Sequence, residues 1–137
     1  MDKMAKTFKL EIITPEKVVY SNSVQSISAD GTEGSFGVLA DHAPLITELQ
    51  TSILTVGDTN NKTIRFALDR GFLEVMANNV VVLTDACVTE GEVNVEKARA
   101  EKDTAEKTLS SGGNAEEKEK AMAILRRADT WLKLANK

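Results

Sequence analysis

Two kinds of hydrophobic spacing divide the chain near residue 90. Before that point, apolar and polar residues alternate. Phe8-Lys9-Leu10-Glu11-Ile12 puts its apolar side chains on one side and its charges on the other, and Ile64-Arg65-Phe66-Ala67-Leu68 repeats the pattern. Successive side chains of a strand face opposite sides of a sheet, so each segment offers one face to a core. Asp58-Thr59-Asn60-Asn61 separates 53–57 from 63–68, and Asn78-Asn79 lies between 72–77 and 80–84. Asn tolerates positive φ, so Asn78-Asn79 is expected to form a tight hairpin turn. Many short strands at close spacing predict a β-sandwich or barrel over about residues 5–90.

Beyond residue 90 the apolar spacing becomes three and four. Asn94 is placed to cap a helix over about 95–109. Ser110-Ser111-Gly112-Gly113 interrupts it, and Asn114 with Glu117 has the form of a capping box that opens a second helix. That helix carries Ala121, Ile124, Leu125, Ala128, Trp131, Leu132 and Ala135 on one stripe. The first helix has a thinner stripe of Val95, Ala98, Ala105 and Leu109, interrupted by Lys102. A helical hairpin follows, with alanines that permit close approach of the two helices. The fold class is α+β, with a β-sandwich domain over 1–90 and an antiparallel two-helix hairpin over 91–137. A helix of about 15 residues is marginal alone, so the hairpin must lean on the sandwich or on a partner. Its thin contact set and Gly-Gly break favour more than one arrangement.

Composition removes several functions. Net charge is −4 and aromatic residues make up 4% of the chain. Nucleic-acid binding needs clustered cations or stacking platforms, and neither fits these numbers. Continuous apolar stretches such as Val80-Val81-Val82-Leu83 are far short of the roughly 20 residues of a spanning helix. No signal-peptide run follows the N-terminus, where Met1 or Met4 could be the start. A cytoplasmic chain without direct membrane insertion is expected. Cys87 has no cysteine partner for a disulfide or a zinc site, and it reads as a small buried hydrophobe.

Candidate chemistry concentrates in 30–42. Asp30, Glu33, Asp41 and His42 have the donor types for a metal or for acid–base work. The same stretch also reads as turns and solvated loop, with Gly31, Gly34 and Gly37 where φ must be positive. The glycine order does not match the dinucleotide fingerprint, and no Gly-Lys-Ser/Thr follows. Ser35, in Gly-Ser-Phe-Gly, is not a nucleophile elbow. No catalytic residue and no metal are assigned. A free-standing small-molecule sensor or hydrolase built on the 30–42 loop is the alternative, and a generic adaptor is a third reading. Lys97, Arg99, Lys102, Arg126, Arg127 and Lys133 lie among acidic residues, as solvated faces or as contacts for an acidic or phosphate-bearing partner.

The segment Glu33-Gly34-Ser35-Phe36-Gly37-Val38-Leu39, followed by Asp41-His42-Ala43-Pro44-Leu45, resembles the Glu-Gly-x-x-Gly-x-x-x-x-His-Ala-Pro-Leu block of the epsilon subunits of bacterial F-type ATP synthases. Gly71-Phe72-Leu73-Glu74-Val75 and Asn79-Val80-Val81-Val82-Leu83-Thr84-Asp85 resemble that family's later strands. Asn94-Val95-Glu96-Lys97-Ala98 and the hairpin resemble its ending. The resemblance implies a sandwich of about ten strands with a helical hairpin. It implies a non-catalytic stalk component that couples ion flow to ATP synthesis at the cytoplasmic face of the bacterial membrane. Its partners would be the gamma subunit, the membrane rotor ring and, with the hairpin extended, the catalytic head. Glu33, Gly34, Ser35 and Phe36 would face the ring, His42 would contact gamma, and the hairpin would inhibit hydrolysis.

Some family members bind ATP through Ile/Leu-Asp-x-x-Arg-Ala. Here the stretch is Val93-Asn94-Val95-Glu96-Lys97-Ala98, with Asn for Asp and Lys for Arg, and Lys lacks the planar fork of Arg. Arg127 matches one later arginine, while Thr104 and Trp131 stand where others would lie. No cofactor is expected. Lys97, Arg126 and Arg127 are left as a weak nucleotide or catalytic-head contact.

Overall fold

The structure, a computed structural model, describes residues 6–136; Met1 and Met4 lie outside them. Nine strands occur among these residues: β1 (Phe8–Ile13), β2 (Val18–Gly31), β3 (Gly34–Leu39), β4 (Leu45–Leu49), β5 (Ser52–Asp58), β6 (Thr63–Leu68), β7 (Gly71–Met76), β8 (Asn79–Thr84) and β9 (Cys87–Thr89). A short 3-10 turn at Glu90–Glu92 leads into α1 (Val95–Ser110) and α2 (Ala115–Asn136). The sandwich and the hairpin expected from the sequence are both present.

The 14-residue β2 holds the two layers together. Its first half pairs with β1, and β1 continues through β8 and β7 to β4. Its second half pairs with β3 and β5, and β5 continues through β6 to β9. The register shifts between Val24 and Ser26, where the strand passes from one layer to the other. Such irregularities bend a strand and let it serve two sheets. Alternate residues point between the layers. Leu10, Ile12, Val24, Leu54, Val56, Phe66, Leu73, Val75, Val80 and Val82 form the core, each at most 2% exposed. Cys87 packs against this cluster only half-buried, at the edge strand β9.

The β7–β8 turn lies one residue earlier than the Asn78-Asn79 expectation. Ala77 (φ 50°) and Asn78 (φ 64°) are the two turn residues, and Asn79 already pairs with Met76. Two positive φ values in a two-residue loop make the turn whose twist suits a hairpin. The position is set by bonds that sequence propensity does not contain. The Asn78 carbonyl accepts from Lys9 N–H at 2.9 Å, and its side chain bonds to Asp41. At the other end of β7, a Cβ at Gly71 would collide with the Leu83 carbonyl, so only glycine fits.

Asn94 Oδ1 caps α1 by accepting from Lys97 N–H at 3.0 Å. The Asn114–Glu117 capping box forms reciprocally, at 2.8 and 3.2 Å. α2 packs on β5 and β6, and α1 packs chiefly on α2. Ala98 and Ala105 of α1 and Ala121 and Ala128 of α2 are buried. Lys102 does not break the α1 stripe, because its ammonium pairs with Asp129 of α2 at 3.1 Å. Leu134, outside the expected stripe, is fully buried, whereas Ile124 within it is 37% exposed. A helix wedged between a second helix and a sheet buries a wider arc than one stripe.

Candidate functional site

The hairpin covers the β5–β6 layer, which leaves the outward face of β4, β7, β8 and β1 open. Residues 73, 75, 80 and 82 point into the core, so their neighbours point out. Phe72 lies opposite Leu83, and Leu83 lies opposite Ile13, giving an apolar row across three strands. Ile46 and Met76 stand on the same face. Ile46 is 70% exposed, and Phe72, Met76 and Leu83 are each 52–54% exposed. A depression of about 560 Å³ runs along the row, bounded by Glu48, Arg70 and Asp85. A clustered apolar face with a charged rim marks a surface that binds another macromolecule.

The 30–42 candidate set does not assemble. Thr32 and Glu33 form the exposed β2–β3 turn, and Gly34, at φ 131°, opens β3 opposite Gly31. Ser35 Oγ donates to Asp30 Oδ1 at 2.6 Å beside that turn. Asp41 and His42 follow β3, whose ends are separated by roughly 16 Å of strand rise. Asp41 instead bonds Asn78 and Lys6, the latter at 2.9 Å. The Asn78 hydrogen bond, then the Lys6 hydrogen bond and charge, hold the Asp41 carboxyl below its ordinary range. His42 Nδ1 meets the carbonyl of Ala43 at 2.7 Å. No group of His, Cys, Asp and Glu that could hold a metal occurs among the described residues. The sensor or hydrolase reading thus loses its site: a β-strand keeps its two ends apart. Phe36 is half-buried against the core, while Glu33, Gly34 and Ser35 form a polar tip.

The cationic residues of the hairpin divide by environment. Arg126 is exposed. Lys97 and Arg127 border a cleft of about 610 Å³ between hairpin and sandwich, with Lys17, Glu92, Glu101 and Trp131. Arg127 is already engaged: its guanidinium is 3.4 Å from Glu101 on α1 and 3.7 Å from Asp69, just after β6.

Comparison with known proteins assigns both halves. Residues 7–90 match the family model "ATP synthase, Delta/Epsilon chain, beta-sandwich domain", and residues 92–136 match "ATP synthase, Delta/Epsilon chain, long alpha-helix domain".

The chain belongs to the ATP synthase delta/epsilon family.

Among its relatives, the ATP synthase epsilon chain of Desulforamulus reducens is 39% identical over 132 residues, 96% of this chain and 99% of the relative. That of Moorella thermoacetica is 40% identical over 129 residues, 94% and 96% of the two chains. In fold, the chain is similar to one in the Euglena gracilis mitochondrial ATP synthase, "OSCP/F1/c-ring in rotational state 1". The TM-score is 0.84 at 21% identity, over 99% of this chain and 85% of that one. An epsilon-type chain is a non-catalytic subunit of the synthase, so the catalytic chemistry belongs to other subunits.

Ile46, Phe72, Met76 and Leu83 were not singled out by sequence reasoning. A usable signal was present: apolar residues occupy both parities in Leu45-Ile46, Phe72-Leu73 and Val81-Val82-Leu83. A strand with one wet face should not do this.

Proposed function

We propose that this epsilon-type chain rides on the rotor of a bacterial F-type ATP synthase and docks the gamma subunit through the open face of β4, β7, β8 and β1. The observation that carries the reading is the apolar row of Phe72, Leu83 and Ile13, with Ile46 beside it, on the layer the hairpin leaves bare. Occupation by gamma removes that surface from water, which is the main driving force for such contacts. His42, in the loop entering β4, joins the same contact. The polar β2–β3 tip of Glu33, Gly34 and Ser35, with Phe36 anchoring it to the core, faces the membrane rotor ring. The chain is then peripheral at the cytoplasmic face of the membrane. No helix among the described residues is long and apolar enough to cross it.

The hairpin is a movable brake on ATP hydrolysis. It rests on the sandwich chiefly through one helix, and it presents Arg126, Arg99 and Lys133 to solvent, where an extended pose brings them to acidic surfaces of the catalytic head. The boundary between the two working parts falls at residues 90–91.

The test uses Phe72→Glu and Leu83→Glu in the assembled enzyme. Both side chains are exposed, so the isolated variants keep their thermal unfolding transition. Each should weaken retention on the gamma-containing complex by ~30-fold or more, the scale of a central interface anchor. Full retention of both variants rejects this docking face. Deleting 92–137 should raise hydrolysis with the sandwich still bound; an unchanged rate, with assembly verified, rejects the brake.

A further inference from the structure

We propose that Arg127 and Asp69 form a latch that holds the hairpin on the sandwich and sets how often it opens. This deepens the brake reading and rests on it for its consequence, not for its existence.

The apolar attachment of the hairpin is slight. Of the three buried residues of α2, two are alanines, and Leu134 is the one large side chain. α1 adds little, because it packs chiefly on α2. An element with few buried apolar contacts opens without global unfolding. Polar ties therefore weigh heavily in its balance. Two of them join α2 to β6 and the residue that follows it. Arg127 pairs with Asp69 at 3.7 Å, and Arg65 of β6 donates to the Leu134 carbonyl at 3.5 Å. Their spacings match. Residues 65 and 69 span roughly 13 Å of extended chain, and residues 127 and 134 span roughly 10 Å of helix, so α2 runs antiparallel to β6 with both ties in register.

Asp69 is built as a fixed acceptor. Its backbone N–H donates to the Ala86 carbonyl at 2.9 Å, and its Oδ1 accepts from Thr51 Oγ1 at 3.1 Å. Its side chain is 19% exposed, so screening is weaker than for a surface pair. Arg127 has a second acceptor in Glu101, which belongs to the hairpin itself. When the hairpin leaves, Arg127 keeps Glu101, and Asp69 keeps Thr51 and gains water. Neither charge is stranded in a dry site, which would otherwise make opening prohibitive. The latch breaks and re-forms without dismantling either half.

Asp69→Asn is the discriminating variant. It removes the charge, retains an acceptor for Thr51, and leaves the Arg127–Glu101 contact within the hairpin intact. Amide hydrogen exchange of the full-length chain should quicken about threefold to fivefold in α2, the effect of losing one partly buried ion pair, with β7 and β8 unchanged. Thr51→Val, which frees the Asp69 carboxylate to wander, should give a smaller acceleration in the same segment. Arg70→Gln, which removes only the Arg70–Asp85 pair inside the sandwich, should give none. Unchanged α2 exchange in Asp69→Asn overturns the latch. So does equal acceleration across β7 and β8, which would mean general destabilisation. In the assembled synthase, Asp69→Asn should lower ATP hydrolysis, because the hairpin extends more often. Faster exchange with an unaltered hydrolysis rate keeps the latch and removes the brake.

Discussion

The Asp41 backbone N–H donates to Asn78 Oδ1 at 2.6 Å, and Asn78 Nδ2 donates back to Asp41 Oδ1 at 3.0 Å. Both residues have positive φ, at 66° and 64°. Two strained loops, β3–β4 and β7–β8, therefore hold each other in place beside the start of β4. Asp41 is thus engaged by Asn78 and Lys6 in holding these loops.

Asn78→Ala should destabilise the chain by about 1–2 kcal/mol, through the lost bonds and a left-handed residue without an Asx side chain. Asn78→Gly keeps the backbone freedom and should cost less, which separates the two contributions. Ala77→Gly should stabilise by up to about 1 kcal/mol, because alanine at φ 50° is disfavoured. Urea unfolding midpoints report all three, and a neutral Asn78→Ala would show that the two loops do not depend on each other.

Burial pushes the Cys87 thiol up to about 12, with the Glu92 carboxylate adding to the shift, from an ordinary value of 9.0. The folded chain holds the proton more tightly than the unfolded chain. Stability from this source is complete below pH 9 and is lost as pH rises from 9 toward 12. Cys87→Ala should flatten that alkaline decline. The thiol should also resist alkylation at pH 8 until the chain unfolds, because thiolate is the reactive form. Rapid labelling of the native chain would contradict this environment.

Asp41 has the opposite sign. Its folded value is depressed, so its contribution is present above the ordinary value of 3.8 and is lost as pH falls through the lower folded value. Asp41→Asn should reduce the acid dependence of unfolding below pH 4, and an identical acid profile would remove Asp41 as a contributor.

A chain ending at Gly91 should unfold cooperatively. The central cluster from Phe8 to Val82 is drawn wholly from the strands, and Leu134 and the buried alanines belong to the hairpin. A lower midpoint is expected from uncovering β5 and β6. A broad, probe-dependent transition would show instead that the sandwich needs its helices.

Nucleotide should bind weakly or not at all. Lys97 supplies a point charge, Arg127 is held by Asp69 and Glu101, and Trp131 adds no cation. At ~1 mM ATP a site with a Kd of ~10 μM would add about 2.7 kcal/mol, readily seen as a raised melting temperature. No such rise is expected, and one of that size would overturn this assignment.

The sequence by itself determined the division near residue 90, the core-facing parity of β1 and β6, the two helices and both of their caps. These are local matters: period two against period three to four, and a side chain bonding an amide three residues on. The Gly–His-Ala-Pro-Leu block added the family, because it joins residue types and spacing over a long stretch. Tertiary structure alone decided that Asp30 and Asp41 lie at opposite ends of β3, that the β7–β8 turn begins at Ala77, and that Leu134 is buried. It also decided that Arg127 answers to Asp69 and that Phe72, Leu83 and Ile13 line up on an uncovered face. Each of these depends on which distant segments become neighbours. Long-range pairing is settled by the collective fit of strands and helices, which no local pattern encodes.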